Sequence, residues 1–231
     1  MIASSTPSKF TRRRRVVLGG LLFLVLSIVL FAIYFYFSPT SVLRFYFGIV
    51  QHIDIGDAGL LSDVPCASPC VFGMQAGETR LDQVPRFLEA NGLAASKCFT
   101  EPSVSWIVVS CGMGRFNVQV NAQTKIVNGI WFRPNTSISV GEILDKYGKP
   151  DYVAVFHDKL PEGSTILVYL FWDSKRMSII LPEIAGDVYA IEKATRIEQA
   201  DFSDDDLYQA SSEIQLGQGY KLWHGYGDYR Q

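Results

Sequence analysis

The sequence predicts an α+β protein, an N-terminal transmembrane helix followed by an exterior domain of short helices packed on antiparallel sheet. Three observations carry that prediction. Residues 16–37 hold no charge and follow four consecutive arginines; a capped helical pattern followed by strand-like runs occurs twice; and four cysteines all lie beyond the apolar run.

Val16 to Phe37 is twenty-two residues long. At about 1.5 Å of rise per residue it would span roughly 33 Å, against a hydrocarbon core of about 30 Å. Its exit, Tyr34, Phe35, Tyr36 and Phe37, suits the membrane–water interface, and Arg12 to Arg15 would be held on the cytoplasmic side, with no further Lys or Arg until Arg44. The expectation is a single-pass, uncleaved signal-anchor in the cell membrane, the N-terminus cytoplasmic and everything after Ser38 outside. A cleaved signal peptide is the main rival, but its apolar region runs about 7 to 15 residues and ends in small residues. Arg13-Arg14-Arg15-Val16-Val17 fits the twin-arginine export pattern loosely, and the long apolar core argues against it. Cys66 is too far along for a lipoprotein. Gly19 and Gly20 are adjacent, without the G-x-x-x-G spacing of a packed span.

The chain divides into a basic tail at 1–15, the anchor at 16–37, a juxtamembrane Cys/Pro-rich stretch at 38–72, and two helix-plus-meander units at 73–135 and 136–231. The net charge of −2 hides an asymmetry: the leader takes five of the 21 basic residues and no acid, leaving 16 basic against 23 acidic outside, or −7. An acidic exterior with no Lys/Arg cluster argues against nucleic acid and anionic lipid as partners. Cys66, Cys70, Cys98 and Cys111 are an even set in an oxidising compartment, which predicts disulfides. Three pairings are open on paper; Cys66 with Cys70 and Cys98 with Cys111, each closing a short loop, are the expected ones. A four-thiolate zinc site is the lesser alternative.

Beyond Pro39, the stretch Val42 to Phe47 reads as an interfacial segment or a first strand, and Val64 to Phe72 as a constrained loop. Leu81, Val84, Phe87 and Leu88 share one helical face, with Thr79 as cap, Asp82 reaching back, Asn91-Gly92 as stop and Pro85 kinking the helix or shifting its start. Val104 to Cys111, Arg115 to Asn121 and Ile126 to Phe132 then read as an antiparallel meander joined by short turns. The pattern recurs. Ser139 and Glu142 form a capping box before Ile143, Leu144 and Tyr147, with Gly148 and Pro150 ending the helix. Strands follow at Asp151 to Phe156, Thr165 to Trp172, Met177 to Leu181 and Val188 to Ile197. Aligning Thr79 with Ser139 predicts an internal duplication at an offset of about 60 residues.

Gly73-Met74-x-x-Gly77-x-Thr79 with Val84, and later Val140, Ile143 and Tyr147-Gly148-Lys149-Pro150-Asp151, resembles the G-x-x-x-G-x-T…V…LG-x-P pattern of small exterior modules of the BamE or SmpA-OmlA kind and of the β-lactamase-inhibitor-protein kind. The resemblance covers about 25 residues. It implies short helices packed on an antiparallel sheet, and a module that binds other proteins rather than catalysing. Where BamE proteins carry a lipidated cysteine this chain has its apolar run, so that family's outer-membrane role does not transfer.

No catalytic motif is present. His52, His157 and His224 are widely separated, and G-x-S-x-G, H-E-x-x-H, phosphate-loop and dinucleotide patterns are missing. Asp201, Asp204, Asp205 and Asp206 read as a solvated turn or helix start rather than a calcium loop, which needs spaced ligands and a central glycine. Tyr220, Trp223, His224 and Tyr226 lie among glycines near the C-terminus, either as a surface for a sugar or a partner or as a segment pinned to the sheet by Trp223 and Tyr226. Asn135-Thr136-Ser137 fits a glycosylation acceptor. The leading expectation is a membrane-anchored exterior module that binds a protein of the envelope or extracellular space, with no cofactor, metal or catalytic residue. The alternatives are a tethered hydrolase using His157 or His224, and a small membrane-complex subunit acting through its anchor.

Overall fold

Alternation sets the main sheet. Phe116, Val118 and Val120 are fully buried along one strand, as a period of two requires. The neighbouring strand breaks that period once, at Asn128, an extra residue that keeps both Val127 and Ile130 inward.

A computed structural model describes residues 24–31, 53–67, 69–160, 163–211 and 220–230. In chain order the strands are β1 (Cys70–Val71), β2 (Met74–Gln75), β3 (Cys98–Pro102), β4 (Trp106–Cys111), β5 (Phe116–Asn121), β6 (Val127–Phe132), β7 (Tyr152–Leu160), β8 (Gly163–Trp172), β9 (Met177–Ile180), β10 (Ile184–Ala185), β11 (Tyr189–Ile191), β12 (Gln199–Ser203), β13 (Tyr220–Leu222) and β14 (Gly227–Tyr229). The helices are α1 (Val84–Ala90) and α2 (Val140–Tyr147), and residues 205–211 are also helical. Ten strands form one antiparallel sheet in the order β13-β7-β8-β9-β12-β6-β5-β4-β3, with β10 paired to β8. The α+β class with a large antiparallel sheet is therefore as expected.

The chain separates into two units, 1–50 and 51–231. The first is described only at 24–31, a helix whose apolar side chains are exposed. The rest of the expected anchor, Arg12 to Arg15 and the Val42 to Phe47 stretch lie outside the described residues. Among the described residues no helix is long and apolar enough to cross a membrane.

In the second unit the expected meanders are β4-β5-β6 and β7-β8-β9, but four strands that the sequence did not announce join them, with β13 along β7 and β10 along β8 among these. β3 adds an outer edge to β4. β12 lies between β6 and β9 and closes the two meanders into one sheet. The strand expected at Val188 to Ile197 is corrected: β11 leaves the main sheet to pair with β14, and Arg196 makes a lone bridge with Ser139. Buried side chains of α1 (Val84, Leu88) and α2 (Val140, Ile143) share one core with the inward side chains of the sheet.

The first helix starts later than its expected cap. Pro85 lacks an N–H and fits only the first turn, so Leu81–Gln83 forms a 3-10 turn and α1 begins at Val84. Thr79 does not cap it; its hydroxyl accepts from Gln75 N at 2.8 Å. Gln83 rather than Asp82 reaches back, to Arg80 N at 3.0 Å, while Asp82 pairs with Arg80 at the surface. At α2 the capping box forms as expected, with Glu142 N donating to Ser139 Oγ and Ser139 N to Glu142.

Within the second unit, residues 53–63 are held to the rest by specific bonds. Asn135 accepts from Ile55 N at 2.8 Å and donates to Ile53 O at 3.3 Å, so the expected glycosylation acceptor is occupied as a clasp. Lys146, near the end of α2, donates to Leu61 O at 2.7 Å and pairs with Asp63, and Tyr147 hydroxyl donates to Leu60 O.

Both expected disulfides form, Cys66–Cys70 and Cys98–Cys111, and no free cysteine remains among the described residues. Cys98 and Cys111 are direct cross-strand partners, so this bond fastens the edge strand β3. Replacing both with serine is expected to lower stability by about 2–3 kcal/mol through the loosened unfolded-state loop. Guanidinium unfolding of oxidised wild type against the double variant checks this; coincident midpoints would contradict it.

Candidate functional site

The helices and core occupy one face of the sheet, and the pleat sends every second residue to the other. Cross-strand register assembles those residues into a row. From β13 to β3 it runs Leu222, Tyr152, Phe171, Ser178, Asp201, Trp131, Asn117, Ser110 and Phe99. Apart from the aliphatic Leu222 at its edge the row is aromatic and neutral polar, with Asp201 its one charged residue.

Aromatic side chains continue the row along β7 and β8. Tyr152 stacks on Phe171 at 4.9 Å, Phe171 on Tyr169 at 6.0 Å, and Phe156 meets Tyr169 edge-on at 5.3 Å. Such pairs contribute about 0.5–1.5 kcal/mol beyond their buried area, so the ladder is a rigid surface. The 205–211 helix covers one end of it. Tyr208 packs edge-on against Phe171 and donates to Asp173 Oδ1 at 2.9 Å. Leu207 lies over Gly129, where an added Cβ would come within 2.8 Å of Leu207 Cδ2. Away from that helix the face is partly accessible: Phe99 and Trp106 are each 48% exposed and Trp131, Tyr169 and Phe156 are half-buried, whereas Asn117 and Ser110 between them are buried.

Asp201 is half-buried at the middle of the row. Its Oδ1 accepts from Gln199 Nε2 at 2.8 Å and its Oδ2 from Ser178 Oγ at 3.4 Å. Desolvation pushes its carboxyl up to about 7, against the opposing pull of the Gln199 and Ser178 hydrogen bonds and of Arg133. Burial, with the Asp201 charge second, raises the Tyr169 phenol as well.

The sequence-derived candidates are placed elsewhere. Of the four aspartates, Asp201 lies apart on the sheet face, while Asp204, Asp205 and Asp206 line one open cavity with Glu78 and Arg176; there Asp204 caps the 205–211 helix by accepting from Leu207 N at 2.9 Å and Asp205 pairs with Arg176 at 3.4 Å. Among the described residues no group of three or more His, Cys, Asp or Glu could hold a metal ion. Of the C-terminal aromatics, Trp223 is half-buried and stacks on Tyr229 at 5.9 Å; His224 is exposed and stacks on the same ring at 4.2 Å; Tyr226 is 44% exposed and meets Trp223 edge-on. The residue that pins this segment is Tyr229, buried and donating to Gly225 O at 2.7 Å, rather than Tyr226. Tyr220 lies in β13, paired with Ala154 of β7. His157 is on β7 opposite Ile166, His224 is in the C-terminal turn, and His52 is outside the described residues.

Trp131 and Tyr169 were not singled out from the sequence, and Asp201 was read only as part of an acidic turn or helix start, whereas it lies in β12. The signal was present in the alternation of Asn117 and Gln119 with the buried valines of β5, and of Ser178 with Met177 and Ile179 in β9. No family model, no curated protein and no solved structure matches the chain.

Proposed function

We propose that the chain is a single-pass membrane-anchored protein whose exterior domain docks a protein partner on the uncovered face of its sheet. The observation that carries the reading is that face itself. It combines stiff, half-exposed aromatics with the partly exposed neutral side chains of Gln119, Ser178 and Gln199, which gives large contact area at small entropic cost, and aromatic residues dominate binding hot spots. The resemblance to exterior binding modules points the same way.

The domain is a tandem duplication in this reading. α1 precedes β3-β4-β5-β6, and α2 precedes β7-β8-β9-β12, with residues 181–198 inserted before the last strand. The two sets meet antiparallel at β6 and β12. The segment entering each helix bridges the residue just before the repeat's last strand or close to it, Arg80 with Ile126 and Ser139 with Arg196. Duplication thereby supplies one sheet of double width and hence the long uncovered row. Two features support the anchor and the outside location: Leu24, Leu26, Ile28, Leu30 and Phe31 are all more than half exposed in the 24–31 helix, and the cysteines are paired.

The test is affinity capture with the tagged full chain in its native membranes. A partner retained by wild type and by Arg86→Ala, an exposed change on α1, is expected to be lost about tenfold or more with Trp131→Ala or Tyr169→Ala. Equal retention by the sheet-face and helix variants would reject the assignment of the docking face.

A further inference from the structure

Resting on the docking reading, the surroundings of Asp201 point to the chemistry of what binds at the centre of the face. An ionised carboxylate has room for about four hydrogen bonds. In the fold Asp201 accepts from Gln199 and Ser178, both neutral donors, and the Ser178 contact is long at 3.4 Å. Arg133, the cation that acts on it from just beyond β6, is engaged with Glu198 at 3.6 Å. A charge in that position is costly to bury further unless a partner charge arrives. Trp131 is its cross-strand neighbour, and Tyr169 lies two strands across in the adjoining row. Their rings provide the faces on which a planar cation stacks.

We infer that Asp201 receives the guanidinium of an arginine presented by the protein partner, with Trp131 and Tyr169 as its aromatic flanks. Guanidinium suits the site better than ammonium, because its fork can bond both carboxylate oxygens while its plane stacks on an aromatic ring. Charge complementarity agrees: the chain beyond the leader carries 16 basic against 23 acidic residues, a field that favours a cationic surface. Around Asp201 the titratable or charged groups are Arg133 just after β6, Tyr169 from β8 and Glu198 beside Arg133; Ser178 and Gln199 are neutral. Docking by arginine should therefore weaken as Asp201 takes up a proton.

The experiment titrates the full chain, in neutral detergent, with N-acetyl-arginine amide and with its uncharged isostere N-acetyl-citrulline amide. The Asp201 carboxyl carbon and the Trp131 indole are followed by NMR. At about pH 8 the arginine probe is expected to bind about tenfold more tightly than citrulline. Asp201→Asn should erase the preference, Asp201→Glu should keep part of it, and about pH 5 should diminish it. Equal binding of the two probes, a preference that survives Asp201→Asn, or an Asp201 signal that does not respond to the arginine probe would overturn the inference. Membrane capture that still depends on Trp131 would then leave the docking face standing, whereas failure of both would remove it.

Discussion

Phe202→Ala is expected to destabilise the sheet domain by about 4 kcal/mol. Phe202 is 1% exposed on β12, with Ile130 of β6 on one side and Met177 of β9 on the other, and its ring stacks on Phe132 at 6.4 Å. Truncation removes the ring's transfer energy and leaves a cavity where the two meanders meet, flanked by strands that cannot close over it. Denaturant unfolding of the full chain in detergent measures the effect. Phe99→Ala, on the edge strand and 48% exposed, is the control and should cost under about 1 kcal/mol. Comparable losses at the two positions would mean that β12 is not the joint of the sheet.

The adjacent residue, on the opposite face of the same strand, should act in the reverse direction. Asp201→Asn is expected to stabilise the domain by about 3–4 kcal/mol at about pH 8 and by little at about pH 4. The folded-state carboxyl sits at about 7 against an ordinary 3.8. Between those values the native state holds the proton more tightly than the unfolded chain, so wild-type stability is greatest below the window and falls as pH rises through it. Above about pH 7 the full penalty of the ionised carboxylate remains. The asparagine variant keeps a side chain of the same shape and loses the slope. Parallel stability–pH curves for the two proteins would show that Asp201 is not held in a desolvated site, and would also weaken its role as a receptor for a cation. An arginine-bearing partner would stabilise the wild type in the same range of pH where it is otherwise weakest.

Much of the architecture was legible because local rules agree with tertiary packing. The Ser139 capping box, the β4-β5-β6 alternation and the even cysteine count each have a local cause, and each is realised. The misses are non-local. β12 has an alternating burial pattern, yet Asp201-Phe202-Ser203 runs into three further aspartates and reads as an acidic turn; only its partners on both sides make it a strand. β3 ends in Pro102 and is held by one neighbour and a disulfide, so its sequence carries a weak strand signal. The start of α1 was open between a kink and a shift because Pro85 permits both, and the 3-10 turn decides for the shift. The candidate face was hidden for the same reason as β12. Its row spans nine strands, and no window of sequence contains more than a few of its members. The C-terminal aromatics drew notice by composition, but Tyr229 turns them partly inward.

The most direct measurement is site-specific photo-crosslinking of the full chain in its native membrane, with benzoylphenylalanine placed in turn at Trp106, Trp131 and Tyr169 on the uncovered face and at Arg86 and Glu89 on α1. The account predicts that the three sheet positions yield a common adduct with one protein, and that the two helix positions do not. Adducts that form from α1 and not from the sheet would contradict it, because the docking surface would then lie on the helix side of the domain.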